Sequence, residues 1–269
     1  MPGTTRTTSS TAQHLNLNLP VGRSVITADP AATGIRLTVR ANSESGPYAA
    51  AVEGTTLREE DGTLWVEVPQ VRTEVRPVRI GGMTFNALRG TVIHNTVATM
   101  VISGEGISVV GDGNVIIGNV VQTGTGDQLG DDLVVEVAMP AGGSVVAVMG
   151  TADLQVHGDL RALTSTTETG SVRVDSVHNV HARVDTGSIR LGRVGGSMSA
   201  LTGTGSVHVD SYEGSSGQAV TDTGSVHVTA TPAATGALRL RTSVGSIKTV
   251  GTRHLRVEAS ATIGRISHR

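Results

Sequence analysis

Along the C-terminal half of the chain, pairs of apolar residues separated by one polar residue recur at a nearly constant interval. Each pair closes a phrase of the form Thr-Gly-Ser-(Val/Ile)-x-(Val/Leu), which begins at Thr169, Thr186, Thr204 and Thr223. Weaker copies begin at Thr151, Val244 and Ile263. The second position of the phrase holds Ala152, Gly170, Gly187, Gly205, Gly224, Gly245 and Gly264, with spacings of 18, 17, 18, 19, 21 and 19. One β-type phrase per period of about 19 residues is the mark of a solenoid in which each repeat makes one coil.

Counting from that second position, +2 holds Leu154, Val172, Ile189, Val207, Val226, Ile247 and Ile266. Position +4 holds Val156, Val174, Leu191, Val209 and Val228 before changing to Thr249 and His268. Strand alternation turns both positions inward, each stacking on its equivalent one coil away at about 4.8 Å. A further apolar position at +7 (Val177, Val194, Tyr212) marks the next side of the coil. The glycine fits a corner where a side chain would collide or φ must be positive. The pattern predicts an all-β chain, a parallel right-handed β-helix (β-solenoid) of about 19 residues per coil with an N-terminal irregular β cap. The six-residue rhythm of the left-handed hexapeptide helix is absent.

Four segments follow from the patterning: a flexible polar tail over 1–20, an N-terminal β cap over 21–80, irregular β with early coils over 81–130, and the regular solenoid over 131–269. In the cap, Ile35, Leu37 and Val39 alternate with Arg36, Thr38 and Arg40, and Leu64, Val66 and Val68 alternate with Trp65 and Glu67. No segment predicts a helix longer than two turns.

Composition narrows the function classes. Only Tyr48, Trp65, Phe85 and Tyr212 are aromatic, while glycine reaches 35. A thin solenoid interior filled by stacked aliphatics needs no aromatic bulk, whereas a carbohydrate-processing cleft does. The net charge of −2 gives no general attraction for nucleic acid. There is no cysteine, hence no disulfide or thiolate metal site. No stretch has the length of a signal peptide's apolar core or of a membrane span, which leads to the expectation of a cytoplasmic protein without a membrane span.

The array Thr-Gly-Ser-Val-Arg-Val-Asp-Ser-Val, Thr-Gly-Ser-Ile-Arg-Leu-Gly-Arg-Val, Thr-Gly-Ser-Val-His-Val-Asp resembles the repeats of the bacterial putative-adhesin family, a domain of unknown function. The lead-in Val-Glu-Val-Ala-Met-Pro-Ala-Gly-Gly-Ser at 135–144 resembles the segment preceding them in that family. The resemblance covers roughly 130–269 and implies a β-solenoid; it supplies no catalytic residues.

Position +3 points outward and carries Arg173, Arg190, His208, His227 and Lys248 on five consecutive coils, between Gln155 and Ser267. The spacing reads first as a solvated face balanced by Glu168, Asp185 and Asp222 at −2 and Asp175 and Asp210 at +5; the functional alternative is a row that docks an anionic partner. The Thr and Ser at −1 and +1 form a hydroxyl ladder, but the interleaved +3 cations break the flat surface that ice binding needs. His178-x-x-His181 and the stacked His208 and His227 lack a third ligand at a metal-binding spacing. Asp131, Asp132, Asp153 and Asp159 are scattered rather than paired, and Gly104-x-Gly106, Gly111-x-Gly113 and Gly124-x-Gly126 lack the third glycine of a phosphate loop. No catalytic residue, metal or cofactor is expected.

The last copy of the phrase, Ile263-Gly264-Arg265-Ile266, lies at the chain's final coil and is a candidate self-assembly edge, with Arg265, His268 and Arg269 as charged gatekeepers. The sequence therefore predicts a non-enzymatic scaffold or interaction protein, a rigid rod whose partners are itself, end to end as a homo-oligomer or filament, or another protein. The alternative is an adhesin-like binding module that uses the basic row.

Overall fold

The structure, a computed structural model, describes residues 3–71 and 133–269, together with the backbone of five strands between them. Contacts divide the chain into two units, Met1–Val71 with Asp132–Arg269, and Arg72–Asp131. The first unit opens with β1 (Thr5–Ser10), β2 (His14–Asp29), β3 (Ile35–Ala41), α1 (Pro47–Glu53), β4 (Thr56–Glu60) and β5 (Thr63–Glu67).

In the second unit, β6 (Val75–Ile80) pairs antiparallel with β7 (Met83–Leu88). There β8 (Ile107–Val110), β9 (Asn114–Ile117) and β10 (Val120–Thr123) form an antiparallel meander. The described strands of this unit are thus hairpins, where the patterning suggested early parallel coils. Asp131, Asp132 and the three Gly-x-Gly motifs lie outside the described residues.

The first unit resumes with β11 (Leu133–Pro140), β12 (Ser144–Thr169) and β13 (Val172–Thr186). Two strands per coil follow: β14 (Ile189–Val194) and β15 (Ser197–Thr204), then β16 (Val207–Tyr212) and β17 (Ser216–Thr223). After them come β18 (Val226–Ala230) and β19 (Ala237–Val244), β20 (Ile247–Val250) and β21 (Arg256–Ile263), and finally β22 (Ile266–His268). All pair parallel in two columns, one running β14–β16–β18–β20–β22 and the other β15–β17–β19–β21, with β13 feeding both. About 70% of the described residues are strand, in a β-solenoid of about 6 turns and about 19 residues per coil.

The core is what the spacing predicts. Leu154, Val172, Ile189, Val207, Val226 and Ile247 are 0% exposed, and the +4 side chains beside them are buried as well. Burying each such aliphatic contributes about 1.5–3 kcal/mol. Tyr212, the one aromatic of the regular coils, is fully buried at +7, in a register column that otherwise holds Leu160, Val177, Val194 and Ala230. Gly217, on the next strand of the same coil, leaves room for its ring: a Cβ there would lie 3.1 Å from the Tyr212 hydroxyl and 2.4 Å from Leu238 Cδ2.

The corner glycines carry the register. Gly187, Gly205, Gly224 and Gly245 have φ between 140° and 149°, a region that side chains rarely adopt. A Cβ on Gly205 would lie 1.8 Å from the carbonyl oxygen of Gly187, and one on Gly224 1.8 Å from that of Gly205. Two side-chain devices complete the corner. Buried Thr202, Thr221 and Thr242 donate to the carbonyls of Gly187, Gly205 and Gly224 at 2.9, 2.8 and 3.0 Å. The +1 side chain of one coil accepts the +1 N–H of the next: Asp153 from Ser171 at 2.7 Å, Ser188 from Ser206 at 3.3 Å, Ser206 from Ser225 at 3.2 Å. The Thr-Gly-Ser phrase is the sequence of this corner.

The first twenty residues differ from the expected flexible tail. β1 pairs with β3, and Leu15, Leu17 and Leu19 of β2 are at most 1% exposed, paired in parallel with β5 and β12. His-Leu-Asn-Leu-Asn-Leu is a half-buried strand whose alternation outweighs the Thr/Ser-rich run before it. Gly22, with φ of 122° and Leu133 O at 2.3 Å from its Cβ position, is an early form of the same corner. At this end β3 and β1 on one side and β4 on the other add antiparallel, closing the parallel ladder. The alanine-rich α1, started by Pro47 and ended at Gly54, buries Ala49, Ala51 and Val52.

Gly205→Ala should therefore lower stability by on the order of 3 kcal/mol, through backbone strain and the clash with Gly187. Gly62→Ala, at φ of 70° with nothing within 4 Å, should cost only about 1 kcal/mol. Urea unfolding midpoints of the two variants check this; equal losses would show that the close approach does not hold the coils.

Candidate functional site

The +3 residues fall into one column by backbone register. Arg173 pairs with Arg190, Arg190 with His208, His208 with His227, and His227 with Lys248, in parallel strands β13, β14, β16, β18 and β20. Because +2 and +4 are buried on either side, alternation fixes +3 outward: Arg173, Arg190 and Lys248 are exposed, and the two histidines half-buried. Gln155 and Ser267 continue the column at its two ends.

Few of the acids placed near the row by spacing neutralise it. Asp210 accepts from Arg190 at 3.3 Å and from His208 at 2.7 Å. Asp175 instead contacts His157 at 3.1 Å, and Asp185 contacts Arg183 at 3.3 Å. Arg173 and Lys248 make no ion pair among the described residues. The column thus carries more positive than negative charge along its length.

His208 and His227 meet edge to face with ring centroids 4.6 Å apart. The Nε2 atom of His227 is buried and has no hydrogen-bond partner among the described residues. Burial, then the neighbouring His208 and Lys248, hold the His227 imidazole below its ordinary value, with Asp210 opposing them. The serines at +1 flank the row on the same face. Ser188 and Ser206 accept an N–H, so each hydroxyl keeps its own proton to donate outward.

The candidate self-assembly segment sits at the corner between β21 and β22. Ile263 is 64% exposed and Ile266 38%, and Gly264 repeats the positive φ at 146°. Ile263 lies in the −1 column, where exposed Thr169, Thr186, Thr204 and Thr223 give way to Val244, itself 46% exposed. The column therefore changes from hydroxyl to aliphatic over its last two coils.

His178 and His181 are both exposed, and among the described residues no group of three His, Cys, Asp or Glu could hold a metal ion. Two features escaped the sequence reading. Arg193 and Glu213 form an ion pair at 2.8 Å across a coil, their hydrogen bond raising the arginine and lowering the glutamate. A shallow groove lined by His181, Ser199, Gln218, Arg239 and Glu258 crosses the second column. Neither has a signal in the repeat phrase, since both involve residues on the less regular side of each coil. Among the described residues, no helix is long and apolar enough to cross a membrane.

This architecture belongs to the β-solenoid class. No protein-family model matches the chain, and no curated protein does. Among solved structures, a putative adhesin from Bacteroides fragilis is similar with a TM-score of 0.55 and 13% identity, covering 98% of this chain and 97% of that one. A putative adhesin from Parabacteroides merdae has a TM-score of 0.43 and 8% identity, over 99% and 95% of the two chains. A putative lipid binding protein from Parabacteroides distasonis has a TM-score of 0.42 and 12% identity, over 99% and 94%. The Bacteroides structure shows that the two chains share a fold, the one the repeat resemblance implies.

Below its unfolded value of about 6.5, His227 should cost stability, because the folded state takes up its proton at lower pH than the unfolded chain. Its contribution is intact above about 6.5 and is lost as pH falls toward the depressed folded value. The stability gap between the wild type and His227→Gln should therefore move in the variant's favour from pH 7.5 to pH 5.0, measured by denaturant unfolding. A gap independent of pH would show that the imidazole is not held neutral.

Proposed function

We propose that this chain is a non-enzymatic binding solenoid that presents the Arg173–Lys248 row to an anionic partner. The observation that carries the reading is the register: five basic or titratable side chains stand one above another, with Asp210 the one acid paired to them among the described residues. Stacking like charges on adjacent strands is mildly unfavourable. A bound anion would offset that cost. The similarity to a structure named a putative adhesin fits a protein that binds rather than one that turns over a substrate.

A second reading has its own support. Val244 and Ile263 are exposed and apolar where the preceding coils carry threonine, and Ile266, buried at the equivalent position of earlier coils, is 38% exposed here; the three suit self-association of the chain through this segment.

The docking reading predicts salt-sensitive binding to at least one member of a panel of linear polyanions: a polyuronate, polyphosphate, single-stranded DNA and polyglutamate. Neutralising Arg173, Arg190 and Lys248 to Gln should weaken that binding about tenfold at physiological salt. Binding unchanged in the triple variant, or absent for the whole panel, would sink it. For self-association, light scattering should show mass growing with concentration in the wild type and not in Ile263→Ser; a constant monomer mass would dismiss that reading.

A further inference from the structure

Two columns, not one, face outward side by side on the first face of the solenoid. The basic column at +3 runs from Arg173 to Lys248 over four strand spacings, about 19 Å. Beside it at +1 runs a hydroxyl column of Ser171, Ser188, Ser206, Ser225 and Ser246. Ser188 and Ser206 have their acceptor side occupied by the next coil's N–H, leaving the O–H free to donate. Ser171, Ser225 and Ser246 hydroxyls have no partner among the described residues. Each coil therefore offers one cationic or titratable group and one hydroxyl, repeated at the strand spacing.

From this pairing we infer that the row's ligand is a linear carboxylated polysaccharide, a polyuronate-like chain laid along the solenoid with about one sugar per coil. The inference rests on the docking reading above and names the ligand of that same row. A 1,4-linked uronate chain advances by roughly one strand spacing per sugar, and each sugar brings one carboxylate and its hydroxyls. Its carboxylates meet the +3 groups while its hydroxyls meet the serines. The alternatives fit less well. Polyphosphate oxygens would also accept from the serines, but its charge repeat is shorter than the strand spacing that sets the +3 groups. Nucleic acid single strands are gripped by stacking on aromatic side chains, and the +1, +3 and +5 columns hold no Phe, Tyr or Trp; a sugar chain stacked as in a processing cleft is disfavoured for the same reason, whereas one held through its carboxylates and hydroxyls needs no such platform. Such polysaccharides occur outside the cytoplasm, so this ligand carries a surface location with it, unlike the cytoplasmic one expected from the chain alone.

The same geometry makes the binding acid-strengthened. His227 on β18 is faced by His208 and Asp210 from β16 and by Lys248 from β20, with Arg190 on β14 beyond them. Burial and the neighbouring cations hold the His227 imidazole below its ordinary value, so acidification is what adds its charge to the row, while uronate carboxylates, with ordinary values near 4, stay mostly ionised at pH 5.

Calorimetric titration of the full chain with polygalacturonate fragments of graded length tests this. Fragments of about five sugars or more should bind and disaccharides should not, since about 19 Å must be spanned. Affinity should rise from pH 7.5 to pH 5.0, and His227→Gln should reduce that rise. Ser225→Ala/Ser246→Ala, which leaves the Ser188 and Ser206 caps in place, should weaken polygalacturonate several-fold without altering unfolding midpoints. The ligand assignment is overturned if polyphosphate or single-stranded DNA binds as tightly, if the serine variant binds as wild type, or if a disaccharide binds as well as the longer fragments. In those cases the docking reading stands, because a polyanion still binds the row. If no polyanion binds at either pH, both fall together.

Discussion

At each corner of the solenoid the carbonyl oxygen of one glycine occupies the space where the next coil's glycine would carry a side chain. The distances, 1.8 Å to the Cβ position at Gly187, Gly205 and Gly224, leave no tolerance for any other residue without movement of the backbone. This contact sets how closely successive coils approach and which residue faces which. The buried Thr202, Thr221 and Thr242 then satisfy the glycine carbonyls, and the +1 side chains take the N–H groups that follow. A slip of one residue at any corner would turn the inward valines outward along the whole rung.

The outward face inherits its order from that register. A row of cations at strand spacing is not favourable in itself, and it persists because the aliphatic ladders on either side hold the backbone in place. The surface is therefore preorganised: a long ligand meets groups already aligned and need not order them on binding. His227 sits inside the row, where a neutral imidazole relieves part of the repulsion that a fixed charge would add. The half-burial of His227 reinforces this at neutral pH.

Much of this was legible in the sequence, and the reasons are specific. The +2 and +4 positions announced the core because a two-residue alternation repeated every 19 or so residues has no other compact solution. The corner glycine was legible for the same reason. The role of the threonine at −3 was not, since it is buried among polar-looking neighbours, and Val184 stands in its place in one coil. The N-terminal coil was hidden by the Thr/Ser run ahead of His14, although the Leu15, Leu17 and Leu19 alternation was present. For the candidate row, spacing identified the members, while the ion pairs that spare it, Asp175 with His157 and Asp185 with Arg183, depend on side-chain reach that no spacing shows.

The central claim is that the +3 residues form one continuous in-register column. Because the chain has no native cysteine, spin labels can be placed singly at Gln155→Cys and Ser267→Cys and their separation measured by pulsed electron paramagnetic resonance. Six strand spacings predict one distance population centred near 29 Å. A distribution that is broad, or centred well away from that distance, would contradict the register on which both the fold and the binding face depend.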